Sequence, residues 1–154
     1  MTESKPLPLR LFISLVILCA MGCSMPRIIV LKDPLTPEEH LKLGVSYEQN
    51  NELDAAEREY KAAAKGLPAA FLYLGNISFR KDAYKEAEEY YEKAIEQDPA
   101  NADALNNLAW LYYTERRNLD EAERLAIRAV DLNPRKADIF RDTLEKIRSL
   151  KNNP

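Results

Sequence analysis

Few side chains in this sequence could carry out covalent chemistry. The chain has one histidine, His40, and two cysteines, Cys19 and Cys23. Nucleophilic catalysis needs a hydroxyl or thiol beside a base, and a metal centre needs several ligands close together. Both cysteines fall in the apolar N-terminal segment, and no serine has an evident base nearby. We therefore predict a protein that is not an enzyme and has no metal, cofactor or small-molecule substrate.

The charged residues lead to a similar prediction. Glutamates recur from Glu86 to Glu96, and carboxylates are the ligands that calcium prefers. Lys85 and Lys93 interleave with them, however, and mixed signs on one helix are typical of a solvated surface. The formal net charge is −3, and no basic block could follow a phosphate backbone. We therefore predict no cation site and no nucleic acid partner.

The first residues differ in composition from the rest of the chain. Lys5 and Arg10 precede an apolar run from Leu11 to Met21, and small residues follow. A basic start, a short apolar run and a small-residue exit are typical of an export signal. The run is shorter than the roughly 20 residues that a membrane-spanning helix needs. The segment therefore indicates a protein exported to the cell envelope.

The exit from this segment also suggests a modification. Ala20-Met21-Gly22-Cys23 resembles the lipobox of bacterial lipoproteins, although leucine is usual where Ala20 stands. The resemblance implies cleavage before Cys23 and acylation of Cys23, and Ser24 implies sorting to the outer membrane. We expect a signal peptide over 1–22 and a lipid-anchored tether over 23–35, on the periplasmic side of the outer membrane. The alternative is an uncleaved signal anchor.

After residue 35 the chain is organised by a pattern that occurs three times. Each copy has a small residue, two alanines and a proline at similar spacings, within two stretches of helical periodicity. The matching residues are Gly44, Ala56, Ala63 and Pro68; Gly75, Ala87, Ala94 and Pro99; and Ala109, Ala122, Ala129 and Pro134. Repeats of this kind stack on one another because each leaves an apolar face that only a neighbour can cover.

This pattern resembles the tetratricopeptide repeat, whose units are about 34 residues long. The resemblance covers 36–134 and implies an all-α fold. We expect a right-handed superhelical stack of three helix-turn-helix hairpins over about 37–67, 68–101 and 102–135. A C-terminal helix over 136–151 would cap the stack, and the signal segment precedes it.

The small residues predict how each hairpin packs. We expect Gly44 to face Ala56, so that the two helices approach closely, and Gly66 to end its helix in the left-handed conformation. Gly75 follows Gly44 three residues too soon, so the connection after Pro68 must be short. The third unit has one extra residue near 113–118, and an alanine, Ala126, replaces the aromatic residue of the other units.

The resemblance also implies where a partner binds, because the family holds ligands along the concave surface formed by the first helix of each hairpin. Aromatic rings there supply contact area, and side-chain amides pair with peptide groups. The matching residues are Leu41, Val45, Tyr73, Asn76, Phe79, Asn106, Asn107, Trp110 and Tyr113. The alternative is that Trp110 and Tyr113 pack against the terminal helix.

Some family members clamp a terminal carboxylate with lysine, asparagine and arginine. Leu41 and Val45 occupy the matching positions of the first unit, so the resemblance implies no such clamp. We expect a membrane-tethered, periplasm-facing interaction adaptor or scaffold that assists assembly of an envelope complex such as a pilus or secretin. The alternatives are an accessory subunit of an envelope enzyme and a structural lipoprotein that self-associates through its first hairpin, with His40 and Leu43 outward.

Overall fold

The computed structural model describes residues 33–153, and the chain from Pro34 onward forms one compact unit. Over these residues the secondary structure is entirely helical, which confirms the predicted all-α fold. The helices are α1 (Pro37–Gln49), α2 (Leu53–Ala63), α3 (Ala70–Arg80), α4 (Tyr84–Gln97), α5 (Ala102–Thr114), α6 (Leu119–Leu132) and α7 (Ala137–Asn152), with a 3₁₀ turn at Pro134–Lys136. The predicted signal peptide, the lipidation site Cys23 and the tether up to residue 32 lie outside the described residues.

The helices pair as predicted into three hairpins, α1–α2, α3–α4 and α5–α6, with α7 against the last. The first hairpin begins with a capping box. Thr36 Oγ1 accepts a hydrogen bond from the Glu39 amide at 3.2 Å, and the Thr36 amide donates to Glu39 Oε2 at 2.8 Å. Pro37 fills the first helical position, where no amide hydrogen is needed. This cap fixes the start of α1.

The turn inside each hairpin contains a non-glycine residue in the left-handed region. These residues are Asn51, Asp82 and Arg116, with φ of 62°, 56° and 51°. Asn118, at φ 50°, is a second such residue in the third turn, where the sequence predicts one extra residue. A short polar side chain tolerates this conformation better than a branched one, which suits Asn and Asp at these positions.

Gly66 does not adopt the predicted left-handed conformation, since no glycine of residues 33–153 has a positive φ. Its role is steric. A Cβ atom on Gly66 would lie 2.7 Å from Cγ of Pro37. The end of the first hairpin therefore passes so close to the start of α1 that a side chain there would force one of them to move.

The helices of the first two hairpins meet through a glycine and a tyrosine. A Cβ atom on Gly44 would lie 2.5 Å from the Tyr60 ring, and one on Gly75 would lie 2.4 Å from the Tyr91 ring. Each glycine thus makes room for a buried aromatic ring, because Tyr60 and Tyr91 are almost fully covered. The predicted contact between Gly44 and Ala56, which lies one turn before Tyr60 on the same helix, stays a prediction.

The third hairpin fills the same two positions with alanines. Ala109 stands where the other hairpins have glycine, and Ala126 stands where they have tyrosine. Both are completely buried. A methyl group has been added on one helix and a ring removed from the other, so the pair keeps a compact contact with different side chains.

The second hairpin begins immediately after the first. Pro68 is followed by only one residue before α3 starts at Ala70, and α3 has 11 residues whereas α1 and α5 have 13 each. The three residues missing between Gly44 and Gly75 are thus taken from the connection and from the first turn of α3. The stack is kept and one helix is shortened.

An ion pair joins each hairpin to the element that follows it. Glu57 contacts Lys81 at 2.8 Å, Glu88 contacts Arg117 at 2.7 Å, and Glu123 contacts Lys151 at 2.6 Å. Each glutamate directly follows the buried alanine at the same place of its repeat, Ala56, Ala87 or Ala122. We call these three contacts the ion-pair ladder.

Helix α7 completes the core of the last hairpin, as expected of a capping helix. Phe140, Leu144 and Ile147 join the cluster formed by the buried residues of α5 and α6. Leu144 follows Pro134 at the same distance at which Ala109 follows Pro99, so it occupies the repeat position of Ala109. Within the part of the chain described, every helix is too short or too polar to cross a bilayer.

Candidate functional site

The first helices of the three hairpins, α1, α3 and α5, line an open cleft of about 340 Å³. Its walls combine two amides, three aromatic rings and one ion pair. The lining residues are Glu48, Asn76, Phe79, Arg80, Tyr91, Asn107 and Trp110. Four of them, Asn76, Phe79, Asn107 and Trp110, are predicted groove residues. We call this surface the amide cleft.

Two amides from neighbouring hairpins meet in the cleft. Asn107 Nδ2 donates to Asn76 Oδ1 at 2.8 Å. Among residues 33–153, the Asn76 amide nitrogen and the Asn107 amide oxygen have no hydrogen-bond partner. The pair therefore presents one group that can donate and one that can accept, which matches the two polar groups of a peptide unit.

Tyr91 fixes the orientation of this amide pair. Its hydroxyl donates to Asn76 Oδ1 at 3.1 Å, so that this oxygen accepts two hydrogen bonds and the Asn76 NH₂ group is left free. Burial raises the pKa of the Tyr91 phenol well above its usual value of about 10. The phenol thus stays protonated and remains a donor at physiological pH.

An ion pair closes one end of the cleft. Arg80 donates from Nη1 to Glu48 Oε1 at 3.0 Å and from Nη2 to Asn51 Oδ1 at 2.9 Å. The Tyr60 hydroxyl donates to the other oxygen of Glu48 at 2.7 Å. Burial, with the Glu48 carboxylate beside it, raises the pKa of Tyr60. Because Arg80 and Glu48 neutralise each other, this wall carries little net charge.

Aromatic rings form the rest of the cleft. The Trp110 ring lies 5.0 Å from the Tyr113 ring, measured between centroids, and Phe79 lies 5.4 Å from Tyr84. Lys146 of α7 sits over the Trp110 ring at 5.1 Å. Trp110 thus lines the cleft and also contacts the terminal helix, so the two alternatives drawn from the sequence both describe it in part.

Three predicted groove residues near the first hairpin serve mainly as packing residues. Leu41, Val45 and Tyr73 are half-buried against the cluster that contains Tyr60 and Leu74. The Tyr73 ring lies 5.2 Å from the Tyr60 ring. They do not line the amide cleft, to which the first hairpin contributes Glu48.

Asn106 and Tyr113 also lie outside the lining. Asn106 is 8% exposed, and its amide oxygen has no partner within residues 33–153. It occupies the repeat position of Leu41 and Leu72, which pack against buried residues, so its side chain enters an interface. Tyr113 packs against the same core cluster and reaches the cleft only through Trp110.

His40 is buried, contrary to the prediction that it points outward. It is 7% exposed, and its Nδ1 atom lies 2.7 Å from Glu59 Oε2. It joins α1 to α2 within the first hairpin, and Leu43 is half-buried beside it in the chain. The first hairpin therefore offers less exposed surface for self-association than the sequence predicts.

Sequence reasoning missed Arg80 and Tyr91 as cleft residues. Arg80 could have been found from the sequence, because Glu48 lies about one repeat earlier and carries the opposite charge. No sequence feature identifies Tyr91 as a cleft residue, since an aromatic residue at this position of the pattern is expected in the core. The role of its hydroxyl depends on Asn76, which lies on the other helix of the hairpin.

The fold is similar to that of solved repeat proteins. The first TPR of Spaghetti (RPAP3), bound to the HSP90 peptide SRMEEVD, superimposes with a TM-score of 0.71 at 17% identity, over 80% of this chain and 99% of that one. PcrH from Pseudomonas aeruginosa gives a TM-score of 0.69 at 20% identity, over 79% of this chain and 99% of PcrH. At these identities the likeness concerns the fold alone.

Sequence comparison points the same way. The protein ypp1 of Schizosaccharomyces pombe is 32% identical over 73 residues, which are 46% of this chain and only 8% of that protein. Two family profiles described as tetratricopeptide repeat match residues 41–102 and 90–124. Such repeats are interaction modules. With the stacked hairpins and the concave cleft, these matches show that the chain belongs to the tetratricopeptide repeat family.

Proposed function

We propose that this protein is a non-enzymatic adaptor that holds an extended segment of a partner protein in the amide cleft. The observation that carries this proposal is the free NH₂ group of Asn76 beside the free carbonyl oxygen of Asn107. A peptide unit of an extended chain offers a carbonyl oxygen and an amide hydrogen, and these two groups can bind both. Trp110 and Phe79 then supply apolar area for a side chain of the bound segment.

The bound segment should be uncharged where it crosses the amide pair. The RPAP3 repeat of similar fold holds a peptide, SRMEEVD, whose last residue is acidic. Here Leu41 and Val45 stand at the clamp positions of the first unit and are half-buried. Arg80, a cation in the cleft, is already paired with Glu48 and Asn51. An internal segment therefore suits this cleft better than a terminal carboxylate.

The proposal includes a place in the cell. We propose that Cys23 carries a lipid anchor, and that the repeats face the periplasm from the outer membrane and recruit a protein to an envelope assembly such as a pilus or secretin. The support for this is the Gly22-Cys23 pair after the apolar run. Two or more acyl chains give stable anchoring, because each buried methylene contributes about 0.8 kcal/mol.

Peptide selection followed by calorimetry tests the cleft. Short random peptides are selected on the full-length chain, and the binders are titrated against Asn76→Leu and Trp110→Ala. Each substitution should weaken binding by about tenfold or more, since it removes a central contact. Asn50→Ala, an exposed asparagine outside the cleft, is the control and should bind as the wild type does. Equal affinities for all four proteins would reject the cleft as the binding site.

Labelling cells with an alkyne-bearing fatty acid tests the anchor. The wild type and Cys19→Ser should incorporate the label, whereas Cys23→Ser should not. Cys19→Ser is a matched control, because both cysteines lie within a few residues of each other. Label that survives in Cys23→Ser would contradict the proposed anchor and leave the cleft proposal unaffected.

A further inference from the structure

The outer surface of the last hairpin has a groove that no part of the described chain fills. It lies between α6 and α7 and encloses about 390 Å³. Ile127, Val130 and Leu144 form its apolar floor, and the charged residues Asp131, Arg141, Glu145 and Arg148 surround them. We call this surface the end groove. In a longer array, the second helix of a fourth hairpin would lie there.

The residue type at the edge of this groove differs from that in the earlier repeats. Ile127 occupies the position that Lys61 holds in the first hairpin and Glu92 in the second, counted from the buried alanine of each unit. It is 38% exposed. The outer face of a terminal repeat is normally polar, because nothing covers it. An isoleucine that replaces two charged residues at this position indicates a face that is covered in the working protein.

The charges on α7 indicate what covers it. Asp138, Arg141, Glu145 and Arg148 are spaced by three or four residues and therefore form one stripe along the helix. All four are exposed. Their signs alternate, beginning with a negative charge. Read in the opposite direction the stripe begins with a positive charge, so an antiparallel copy of the same helix places opposite charges together at every position.

The register of this antiparallel pairing is defined by the sequence. If the two-fold axis crosses α7 at the level of Thr143, whose own side chain is buried, Arg141 faces Glu145 of a second copy and Asp138 faces Arg148 of that copy. Arg148 also donates from Nε to Glu123 of its own chain at 2.7 Å. Within its own helix, Arg141 makes only a 3.4 Å contact with Asp138. A parallel pairing in register would place like charges opposite each other. Charges that flank an apolar seam select partner and orientation in this way.

From the end groove and this stripe we propose that a second copy of the chain covers the end groove, through an antiparallel contact between the two α7 helices. The contact is isologous, so each α7 lies in the end groove of the other copy. Within a hairpin the second helix runs antiparallel to the first, and the α7 of the second copy takes that direction. Leu144, in place of glycine or alanine, sets a wider separation than within a hairpin.

Charge reversal combined with sedimentation equilibrium tests the contact. The full-length chain, in a density-matched detergent, should reach a dimer as its concentration rises. Arg141→Glu places two glutamates opposite each other at both symmetric contacts, and Glu145→Arg places two arginines there. Each single variant should dissociate about tenfold more readily than the wild type. The double variant R141E/E145R restores opposite charges and should dimerise as the wild type does.

A mixture of the two single variants gives the sharpest result. Arg141→Glu and Glu145→Arg chains carry complementary stripes, so they should form a heterodimer although neither forms a homodimer readily. Native mass spectrometry of two differently tagged chains measures this directly. Ile139→Ser, on the same helix but outside the end groove, should leave the dimer unchanged.

Three outcomes would overturn the inference. They are a wild type that stays monomeric at all concentrations, a dimer that the charge reversals leave unchanged, and single variants that do not combine. Circular dichroism of each variant should match the wild type, which separates lost association from unfolding. The amide cleft lies on other helices, so Asn76→Leu should leave the dimer intact. Failure of the cleft proposal and failure of this one are therefore distinguishable.

Discussion

The first two hairpins and the third solve the same packing problem with different side chains. In the first two, Gly44 and Gly75 make room for the buried rings of Tyr60 and Tyr91. In the third, Ala109 and Ala126 share the space. The comparison shows that a repeat constrains the two residues of a helix pair together rather than each residue alone. A large ring is paired with a glycine, and an alanine is paired with an alanine, because interiors are close-packed.

The difference also has a polar consequence. The Tyr60 hydroxyl donates to Glu48 and the Tyr91 hydroxyl to Asn76, both in the amide cleft. Each ring that fills a hairpin therefore also orients a cleft residue through its hydroxyl. Ala126 cannot do this, and the third hairpin contributes Asn107 and Trp110 to the cleft without such a tether. The first two hairpins thus couple the core to the binding surface, and the third does not.

The largest effect should come from removing a ring. Tyr91→Ala opens a cavity between α3 and α4, and truncation of a buried aromatic residue costs about 3–5 kcal/mol of unfolding free energy. Tyr91→Phe keeps the ring and loses only the bond to Asn76, which should cost about 1 kcal/mol. Urea unfolding followed by circular dichroism measures both. If Tyr91→Ala costs no more than Tyr91→Phe, the ring does not hold the hairpin together.

The next effect concerns the small residue opposite the ring. Gly75→Ala places a methyl group 2.4 Å from the Tyr91 ring. Overpacking of this kind costs about 1–3 kcal/mol, and a gain of up to about 1 kcal/mol in helix propensity opposes it. Combined with Tyr91→Ala, Gly75→Ala should cost nothing or stabilise, because the double variant has the alanine pair of the third hairpin.

The control for this comparison is Ala109→Gly in the third hairpin. Ala126 rather than a tyrosine stands at the matching position of α6, so the variant relieves no crowding. It should lose about 2 kcal/mol, from helix propensity and from one buried methyl group. A double-mutant cycle gives the coupling free energy between Gly75→Ala and Tyr91→Ala, and this value shows whether the two residues form a matched pair. Additive effects would show that the glycine and tyrosine are not a matched pair.

The smallest effect should appear in the ion-pair ladder, where the interfaces also differ. Glu88 accepts two hydrogen bonds from Arg117 and one from Tyr112, whereas Glu123 accepts one each from Arg148 and Lys151 of α7. Glu88→Gln should cost about 1–2 kcal/mol, and Glu123→Gln less than about 1 kcal/mol. The single tryptophan, Trp110, reports on the third hairpin by its fluorescence during urea unfolding.

The contribution of Glu88 to the unfolding free energy should depend on pH in a defined direction. The Arg117 guanidinium, followed by the Tyr112 hydroxyl, lowers the pKa of Glu88. A depressed pKa contributes stability above the unfolded value of about 4.3, and this stability is lost as the pH falls through the folded pKa. Below about pH 4, the unfolding free energy of Glu88→Gln should therefore fall less steeply with decreasing pH than that of the wild type. An unchanged acid dependence would contradict the role of Glu88.

Much of the fold follows from local pattern. The three-fold recurrence of small residues and prolines predicts every hairpin. The contacts across helix pairs were not predictable in the same way. The close approach of Gly44 to the Tyr60 ring was not predicted, because periodicity alone does not fix the relative rotation of two helices.

The candidate site was predicted only in part for the same reason. Asn76, Phe79, Asn107 and Trp110 line the amide cleft as expected, whereas Asn106 is buried. Adjacent residues of a helix point about a quarter-turn apart, so Asn106 and Asn107 enter different environments. Which of the two enters the cleft depends on how α5 rotates against its neighbours.

The sequence by itself determined that the chain forms stacked helical hairpins, because spacing along a helix is a local property that residue types express directly. It also determined the charge stripe on α7. Only the tertiary structure decided which ring fills the space above each glycine, which amide groups are left free in the cleft, and which glutamates join the hairpins. Those outcomes depend on the separation and rotation of helices, which are set when many side chains pack at once.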